Sequence, residues 1–452
     1  MKPKNLFLIL LMIGSVSASS DKFEFDGKQY VGNIVKIFAV GTKGDLVMER
    51  VSGDVTIEGE ARRDVMIVEK FKIDAYSEVN ARQILNEEKA RYQQRGNKVI
   101  VTGKEHSRRY SSDFIVKVPL TFNTTVQTSG GDININKVSG LQNLNTSGGD
   151  IEISECSGEL KSHTSGGDIK IQQVAGNLSV NTSGGDIEIE LFDGELWANT
   201  SGGDINLDKI QGNGQVNTSG GDINIVNLRA KTFSAKTSGG DIGADKVQAE
   251  LTLRTSGGDI IIGQIEGNLE IQTSGGDIEV RQVNKNLKAT TSGGDINIGL
   301  IKGYCYVRTS GGNIEVDRAY DLEAITSGGD ILAKGVVGYI YARTSGGDIE
   351  AHKLFNPDVK NNAIDLETSG GEIEVILPAN LNADIDAEIT VTSRRYADVN
   401  IHSDFPVQKS HEIKSSRIYI YARGKINQGG NLVKLRTING NINILKADRE
   451  SR

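Results

Sequence analysis

The sequence predicts an all-β protein, a parallel β-solenoid of about fourteen rungs of 18 residues each. The tetrapeptide Thr-Ser-Gly-Gly occurs fourteen times, and ten of the thirteen spacings between its copies are 18 residues. The 54 glycines and only 5 prolines are typical of many tight turns between short strands. The constant spacing argues against a β-sandwich. The copies begin at Thr128, Thr146, Thr164, Thr182, Thr200, Thr218, Thr237, Thr255, Thr273, Thr291, Thr309, Thr326, Thr344 and Thr368.

Within one rung, residues 169–171 and 178–180 alternate apolar and polar side chains, which predicts two strand segments per rung. One rung alone cannot bury its apolar side, so the rungs must stack with like residues in contact. The same alternation points Thr182 into the core, which argues against a flat ice-binding surface of threonines. A second corner is predicted at glycines that favour positive φ: Gly140, Gly158, Gly176, Gly194, Gly212 and Gly267.

The first residues predict export. Lys2 and Lys4 precede the short apolar stretch at residues 6–13, and small residues follow it. This pattern is typical of a signal peptide, here residues 1–18, because the apolar stretch is too short to span a bilayer. We therefore expect a periplasmic, cell-surface or secreted protein without a membrane span after cleavage.

The flanks of the repeat predict caps that cover the open ends of the solenoid. A helix is expected over residues 78–94, with Ala81, Ile84, Leu85 and Tyr92 on one face. Two short segments look like rungs outside the main array: residues 51–55, which resemble a stray rung, and residues from Thr437 onward, which resemble a degenerate fifteenth. The predicted division is a signal peptide at 1–18, an N-terminal β-rich cap with one helix at 19–127, the solenoid at 128–376 and a C-terminal β-rich cap at 377–452.

The two cysteines occupy apolar positions of the repeat. Cys156 stands at the position of Val174, and Cys305 stands at the position of Leu178, eight rungs further along. Eight rungs correspond to roughly 40 Å, whereas the Cα atoms of a disulfide lie within about 7 Å. Both are expected to be buried thiols without a bridge.

Repeats of Thr-Ser-Gly-Gly-Asp-Ile behind a signal peptide resemble the bacterial putative-adhesin family of exported β-strand-repeat proteins, a family of unknown function. The resemblance covers residues 51–445 and includes Val118-Pro119 before the first rung and Leu377-Pro378 after the last. It implies a parallel β-helix-like array on an exported protein. It supplies no catalytic residues.

One acidic column runs through the repeat, and stacked carboxylates about 4.8 Å apart would repel one another. Either each carboxylate accepts hydrogen bonds from Ser or Gly amides of its own corner, or Ca²⁺ ions bridge successive rungs. Calcium is the less favoured alternative because Asn313 and Glu372 replace the aspartate and no second aspartate recurs. The candidate metal ligands are Asp132, Asp150, Asp168, Asp186, Asp204, Asp222, Asp241, Asp259, Asp277, Asp295, Asp330 and Asp348.

Three aromatic residues, Trp197, Tyr306 and Tyr341, share an outward rung position and are candidates for contact with a protein or glycan partner. An enzyme is disfavoured because the column carboxylates have nearly identical surroundings, the five histidines show no metal-binding spacing and no phosphate loop occurs. A net charge of −8 without a basic stripe argues against nucleic-acid binding. The sequence thus predicts a non-catalytic extracytoplasmic scaffold without a cofactor. Its alternatives are a Ca²⁺-stabilised binding module and a polysaccharide-active enzyme.

Overall fold

The computed structural model describes residues 23–104, 107–393, 398–414 and 417–447. These residues form parallel β-strands with antiparallel strands at the ends of the stack and a single α-helix, which confirms the predicted parallel β-solenoid with capped ends. The structure divides into two compact units, Met1–Thr200 and Ser201–Arg452. The predicted signal peptide lies outside the described residues.

The first unit contains fifteen strands and the helix α1, Glu78–Glu88, among its described residues. The strands are β1 Phe23–Phe25, β2 Tyr30–Ala39, β3 Asp45–Val51, β4 Val55–Glu60, β5 Asp64–Ile73, β6 Arg91–Arg95, β7 Lys98–Thr102, β8 Tyr110–Pro119, β9 Asn123–Thr128, β10 Ile133–Asn136, β11 Ser139–Asn145, β12 Ile151–Ser154, β13 Ser157–His163, β14 Ile169–Asn181 and β15 Ile187–Asn199.

Successive rungs of the first unit stack in register. Ile169 pairs with Ile151 on one side and Ile187 on the other, and Leu178 lies between Leu160 and Leu196 in the same way. All of these side chains are buried, so each apolar residue contacts its counterpart in the next rung. The core is therefore a set of continuous apolar columns.

The N-terminal rungs of this unit do not follow chain order. Strands β3 and β4 form a rung that pairs with β9 and β10 on one side and with β7 and β8 on the other. The stray rung predicted at residues 51–55 is thus a true rung. Beyond β8 the sheet continues through antiparallel β5, β2 and β1, and β6 pairs antiparallel with β7. These antiparallel strands cap the unit.

The helix begins where the sequence predicts and ends earlier. Ser77 caps its N-terminus by accepting the amide of Asn80 at 3.3 Å, and Ala81, Ile84 and Leu85 are buried as expected. The prediction was wrong for Tyr92, which lies in β6 and not on the helix. Residues 91–95 pair with β7 as an antiparallel hairpin, and this pairing overrides the helical pattern.

The second unit contains twenty-two strands among its described residues. They are β16 Ile205–Gln211, β17 Gly214–Asn217, β18 Ile223–Lys236, β19 Ile242–Asp245, β20 Gln248–Arg254, β21 Ile260–Ile265, β22 Leu269–Gln272, β23 Ile278–Val283, β24 Leu287–Thr290, β25 Ile296–Arg308, β26 Ile314–Ile325, β27 Ile331–Val336, β28 Ile340–Arg343, β29 Ile349–Lys353, β30 Ile364–Glu367, β31 Ile373–Leu377, β32 Ala383–Val391, β33 Ile401–Ser403, β34 Val407–Lys414, β35 Arg417–Ile426, β36 Asn431–Ile438 and β37 Ile442–Lys446.

Where the spacing between tetrapeptides in this unit differs from 18 residues, the strand pairing shifts register at a corner of the rung. The pairing of β18 with β20 shifts register between Arg229 and Thr232, in the rung that is one residue longer. The pairing of β25 with β26 shifts between Ile301 and Tyr304, because the rung that holds β26 is one residue shorter. The strands on either side of each shift remain paired in register, so the apolar columns continue past both shifts.

The predicted fifteenth rung is also present, because β36 and β37 stack on β30 and β31. Antiparallel strands follow at this end: β35 pairs with both β32 and β34. Among the residues that the structure describes, no helix has the length and apolar character needed to cross a membrane.

Candidate functional site

The aspartate column forms a ladder of hydrogen bonds between rungs. Oδ1 of Asp132 accepts the backbone amide of Asp150 at 2.9 Å, and Oδ1 of Asp150 accepts the amide of Asp168 at 2.8 Å. In the second unit the same contact joins Asp259 to the amide of Asp277 at 2.7 Å. Each carboxylate therefore satisfies a main-chain donor at a corner where the strand ladder is interrupted.

This geometry corrects the favoured expectation that the donors belong to the carboxylate's own corner. In-register stacking instead brings the next rung's amide to the side chain. Asn313 fits the ladder because its Oδ1 accepts the amide of Asp330 at 2.9 Å, so the contact needs an oxygen and not a charge. The ladder also includes Asp54 and Asp113 of the N-terminal rungs.

The calcium prediction for this column is not tested by the ladder, since only Oδ1 of each carboxylate is engaged by the amide. Among the described residues, no group of three or more His, Cys, Asp and Glu side chains has an arrangement suited to a metal ion. Calcium binding by the aspartates therefore stays a prediction.

The threonines face the core, as predicted, and join the corners of successive rungs. The hydroxyl of Thr182 donates to the carbonyl of Gly167 at 2.9 Å and accepts the amide of Gly185 at 3.3 Å. A methyl group on Gly185 would lie 2.0 Å from the Gly167 oxygen, whereas one on Gly184 would meet nothing closer than 3.7 Å. The second glycine of the tetrapeptide is thus required because the main chain of the preceding rung lies too close for a side chain. The first glycine has room for a methyl group.

The second predicted corner is present with one exception. Gly140, Gly158, Gly176, Gly194 and Gly212 have positive φ, as expected, but Gly267 does not. Gly267 is required for a different reason, because a methyl group there would lie 1.7 Å from the carbonyl oxygen of Ala249.

Both cysteines lie in the core, each within its own unit. Cys156 is 3% exposed and Cys305 is fully buried, where it pairs in register with Leu287 and Leu322. Burial raises the pKa of both thiols, which keeps them protonated and poorly reactive at neutral pH.

The predicted aromatic residues lie at the outward rung position. Trp197, in the first unit, is 47% exposed. In the second unit Tyr306 and Tyr341 are half-buried and lie two rungs apart, on either side of Glu323. Their role as contact residues stays a prediction.

Sequence reasoning missed two further tyrosines, Tyr304 and Tyr339, whose rings stack with centroids 6.3 Å apart. We call Tyr304, Tyr306, Tyr339 and Tyr341 the tyrosine face. The Tyr304 hydroxyl donates to Glu323 at 2.8 Å, and burial together with this bond raises the pKa of Tyr304. The repeated pattern Tyr-x-Tyr, at 304–306 and 339–341, is the signal that could have revealed all four.

Ring contacts hold three of the four tyrosines, Tyr304, Tyr339 and Tyr341. The guanidinium of Arg343 lies 4.9 Å from the centroid of the Tyr341 ring and also forms an ion pair with Glu367 at 3.0 Å. The amide of Tyr339 donates to Oδ1 of Asp321 at 2.9 Å. These three rings are therefore held in position before any ligand arrives, which lowers the entropic cost of binding.

A buried lysine lies beneath the corner that carries Tyr339. Lys353 is 3% exposed and occupies an apolar column, in register with Val336. Its ammonium donates to the carbonyls of Val337 and Gly338, and burial lowers its pKa to about 8. The role of this side chain is therefore structural, because its hydrogen bonds stabilise the main chain at this corner.

A buried carboxylate in the first unit has a similar structural role. Glu69 is fully buried and accepts the hydroxyl of Tyr110 at 2.6 Å, the amide of Ala90 at 3.2 Å and the hydroxyl of Tyr92. Burial and the neighbouring Glu69 raise the pKa of Tyr110. Because these donors satisfy the carboxylate and no solvent reaches it, it has no access to a substrate.

The model of a known protein family matches most of this chain. The model of the family Toastrack DUF4097 matches residues 34–209, 193–317 and 303–445 of this chain. No curated protein matches it.

Remotely similar solved structures include the following three. A "putative cell adhesion protein" from Clostridium sporogenes is 10% identical, with a TM-score of 0.14, and the match covers 92% of this chain and 100% of that one. A "putative adhesin" from Parabacteroides distasonis is 15% identical, with a TM-score of 0.21 and coverage of 67% and 97%. A "putative lipid binding protein" from the same organism is 12% identical, with a TM-score of 0.16 and coverage of 77% and 97%. Similarity this low carries no ligand or role over to the present chain.

Proposed function

This chain belongs to the Toastrack DUF4097 family, and we propose that it is a non-catalytic extracytoplasmic scaffold that binds a partner through the tyrosine face. The observation that carries the proposal is the cluster of four tyrosines on two rungs that flank the rung of Glu323, on an otherwise regular surface. Tyrosine supplies a large contact area and a polar hydroxyl at low entropic cost, which suits it to recognition of a protein or a glycan.

The absence of a catalytic role is proposed from the use of the carboxylates. A glycosidase needs two carboxyl groups in unlike surroundings, one of them free to donate a proton. On the tyrosine face, Asp321 accepts the amide of Tyr339 and Glu323 accepts the hydroxyl of Tyr304. Each carboxylate accepts a hydrogen bond from a neighbouring tyrosine, and this favours binding over catalysis.

Export is proposed from residues 1–18 of the sequence, whose charge and apolar pattern are typical of a signal peptide. Fractionation of cells that express the full-length chain tests this part. We expect the protein in the periplasmic, surface or secreted fraction, and retention in the cytoplasm would contradict it.

The binding role is tested with the double variant Tyr306→Ala and Tyr341→Ala. Purified wild-type protein should bind isolated cell-envelope material, and the double variant should bind at least about tenfold more weakly, as expected from the loss of two aromatic contacts. Tyr76→Ala is the matched control and should bind like the wild type, because it removes an exposed tyrosine of the other unit that is not a candidate for partner contact. Equal binding by wild type and double variant would contradict the role of the tyrosine face.

A further inference from the structure

A trough of about 500 Å³ lies beside the tyrosine face on the second unit. Two columns of outward side chains form its walls, and the column between them, which includes Leu251, Leu269 and Leu287, forms its floor. Tyr304 and Tyr306 belong to the last rung that lines it. The walls are Glu250, Asn268, Asn286 and Tyr304 on one side and Thr252, Glu270, Lys288 and Tyr306 on the other.

The asparagines present unused donors to this trough. Oδ1 of Asn268 accepts the amide of Asn286 at 3.3 Å, and Oδ1 of Asn286 accepts the amide of Tyr304 at 2.9 Å. These bonds fix each side-chain amide with its oxygen turned to the main chain. Within the described part of the chain, neither Nδ2 group makes a hydrogen bond, so both are available to a ligand.

The aromatic wall is similarly available. Within the described residues, the ring of Tyr306 makes no contact with another ring or a cation, in contrast to the stacked Tyr304 and the Arg343-covered Tyr341. An uncovered tyrosine ring beside fixed amide donors offers a stacking surface and hydrogen bonds at the same time.

The charges of the trough nearly cancel. Glu270 pairs with Lys288 at 3.1 Å and with Arg254 at 3.8 Å, so these two cations offset the carboxylates of Glu250 and Glu270. Because these charges balance, a charged ligand of either sign gains no net electrostatic attraction in the trough, whereas a neutral ligand needs none. An apolar ligand would leave the two asparagine amides without partners.

From these features we infer that the trough is a binding site for a neutral saccharide of one or two rings, an inference that rests on the proposed function and names its ligand class. The volume lies within the range of small-molecule sites, about 300–1,000 Å³. The sugar's apolar C–H face stacks on Tyr306, and its hydroxyls accept hydrogen bonds from Asn268 and Asn286 and donate to Glu250.

The test uses the full-length protein on an array of immobilised saccharides that includes neutral hexose, N-acetylhexosamine and uronic-acid oligomers. We expect binding to neutral members and weak or no binding to uronic-acid members. The variant Asn286→Asp keeps Oδ1 for the amide of Tyr304 but replaces the donor with a second charge. It should weaken saccharide binding at least about tenfold, because the sugar hydroxyl loses its hydrogen-bond donor at this position.

Asn313→Asp is the matched control, because it makes the same chemical change at a ladder position outside the trough. It should leave saccharide binding unchanged, and thermal melts of both variants should establish that each is folded. The inference is overturned if no saccharide binds, if uronic-acid oligomers bind better than neutral ones, or if Asn286→Asp binds like the wild type. Envelope binding that is lost in the tyrosine double variant but unaffected by Asn286→Asp would overturn the saccharide site alone and leave the proposed function intact.

Discussion

The backbone amide of Asp150 donates to Oδ1 of Asp132 across 2.9 Å, and this contact between neighbouring rungs recurs along the aspartate column. It explains how a row of carboxylates is accommodated in a stacked fold. The donor is a main-chain group that would otherwise have no partner at the corner, so the side chain completes the hydrogen bonding of the fold. The following predictions test this relationship and its neighbours.

Asp168 separates the role of the oxygen from the role of the charge. Asp168→Asn keeps an acceptor for the amide of Asp186 and should change the free energy of unfolding by less than about 0.5 kcal/mol. Asp168→Ala removes the acceptor and should cost about 1 kcal/mol. Urea denaturation of both variants measures the difference. Equal losses would mean that the negative charge matters and the hydrogen bond does not.

The two glycines of one tetrapeptide give a matched pair. Gly185→Ala places a methyl group 2.0 Å from the carbonyl oxygen of Gly167, and we expect a loss of about 3 kcal/mol or failure to fold. Gly184→Ala should cost less than about 1 kcal/mol, since its methyl group has room. Thermal melts and soluble yield compare the two. Similar stability of both variants would show that the rungs are spaced more widely than described.

The lowered pKa of Lys353 predicts that the stability of the fold depends on pH. Burial lowers its pKa from 10.5 to about 8, so between these pH values the unfolded chain holds more protons than the folded one. The free energy of unfolding should therefore rise as the pH increases from 8 to 10.5, by up to about 3 kcal/mol. Denaturation of wild type and Lys353→Met across this range measures the effect.

In that experiment the methionine variant should lack the rise, because it has no titratable group at this position. Lys302→Met, at an exposed position on the same unit, is the control and should keep it. A slope that survives in Lys353→Met would assign the dependence to other groups.

Calcium binding by the aspartate column is tested by melting the protein with Ca²⁺ and with a chelator. The ladder already supplies each carboxylate with a main-chain donor, so we expect the melting midpoint to be the same in both. If ions bridge successive rungs instead, the midpoint should rise with Ca²⁺ concentration by mass action. Such a rise would support the calcium alternative for the column.

The repeat made most of the fold predictable. Thr182 and its equivalents are inward because alternation with the apolar residues of the second strand leaves no other choice, and in-register stacking then determines the neighbours of every rung residue. The order of the N-terminal rungs was not predicted, because these rungs lack the tetrapeptide. Strands β7 and β8 lack the motif, so their place outside the rung of β3 and β4 could not be read from spacing.

The candidate site was predictable only in part. Tyr306 and Tyr341 were found because they share the outward position of a regular strand. Tyr304 lies next to a register shift, where the position within the rung cannot be counted from the tetrapeptide. Lys353 was missed because it occupies a position where the repeat predicts an apolar side chain. Its burial depends on two main-chain carbonyls from another rung, which no local pattern reveals.

The rungs at the N-terminal end of the first unit do not stack in chain order, and this order constrains when they can fold during synthesis. The rung of β3 and β4 lies between one built from residues 98–119 and one built from residues 123–136. Until those later residues have emerged from the ribosome, or from a translocation channel, the rung of β3 and β4 has no partner on either side. The N-terminal end therefore cannot fold first and wait for the remainder, and its closure is a late step that requires about a quarter of the polypeptide to be present at once.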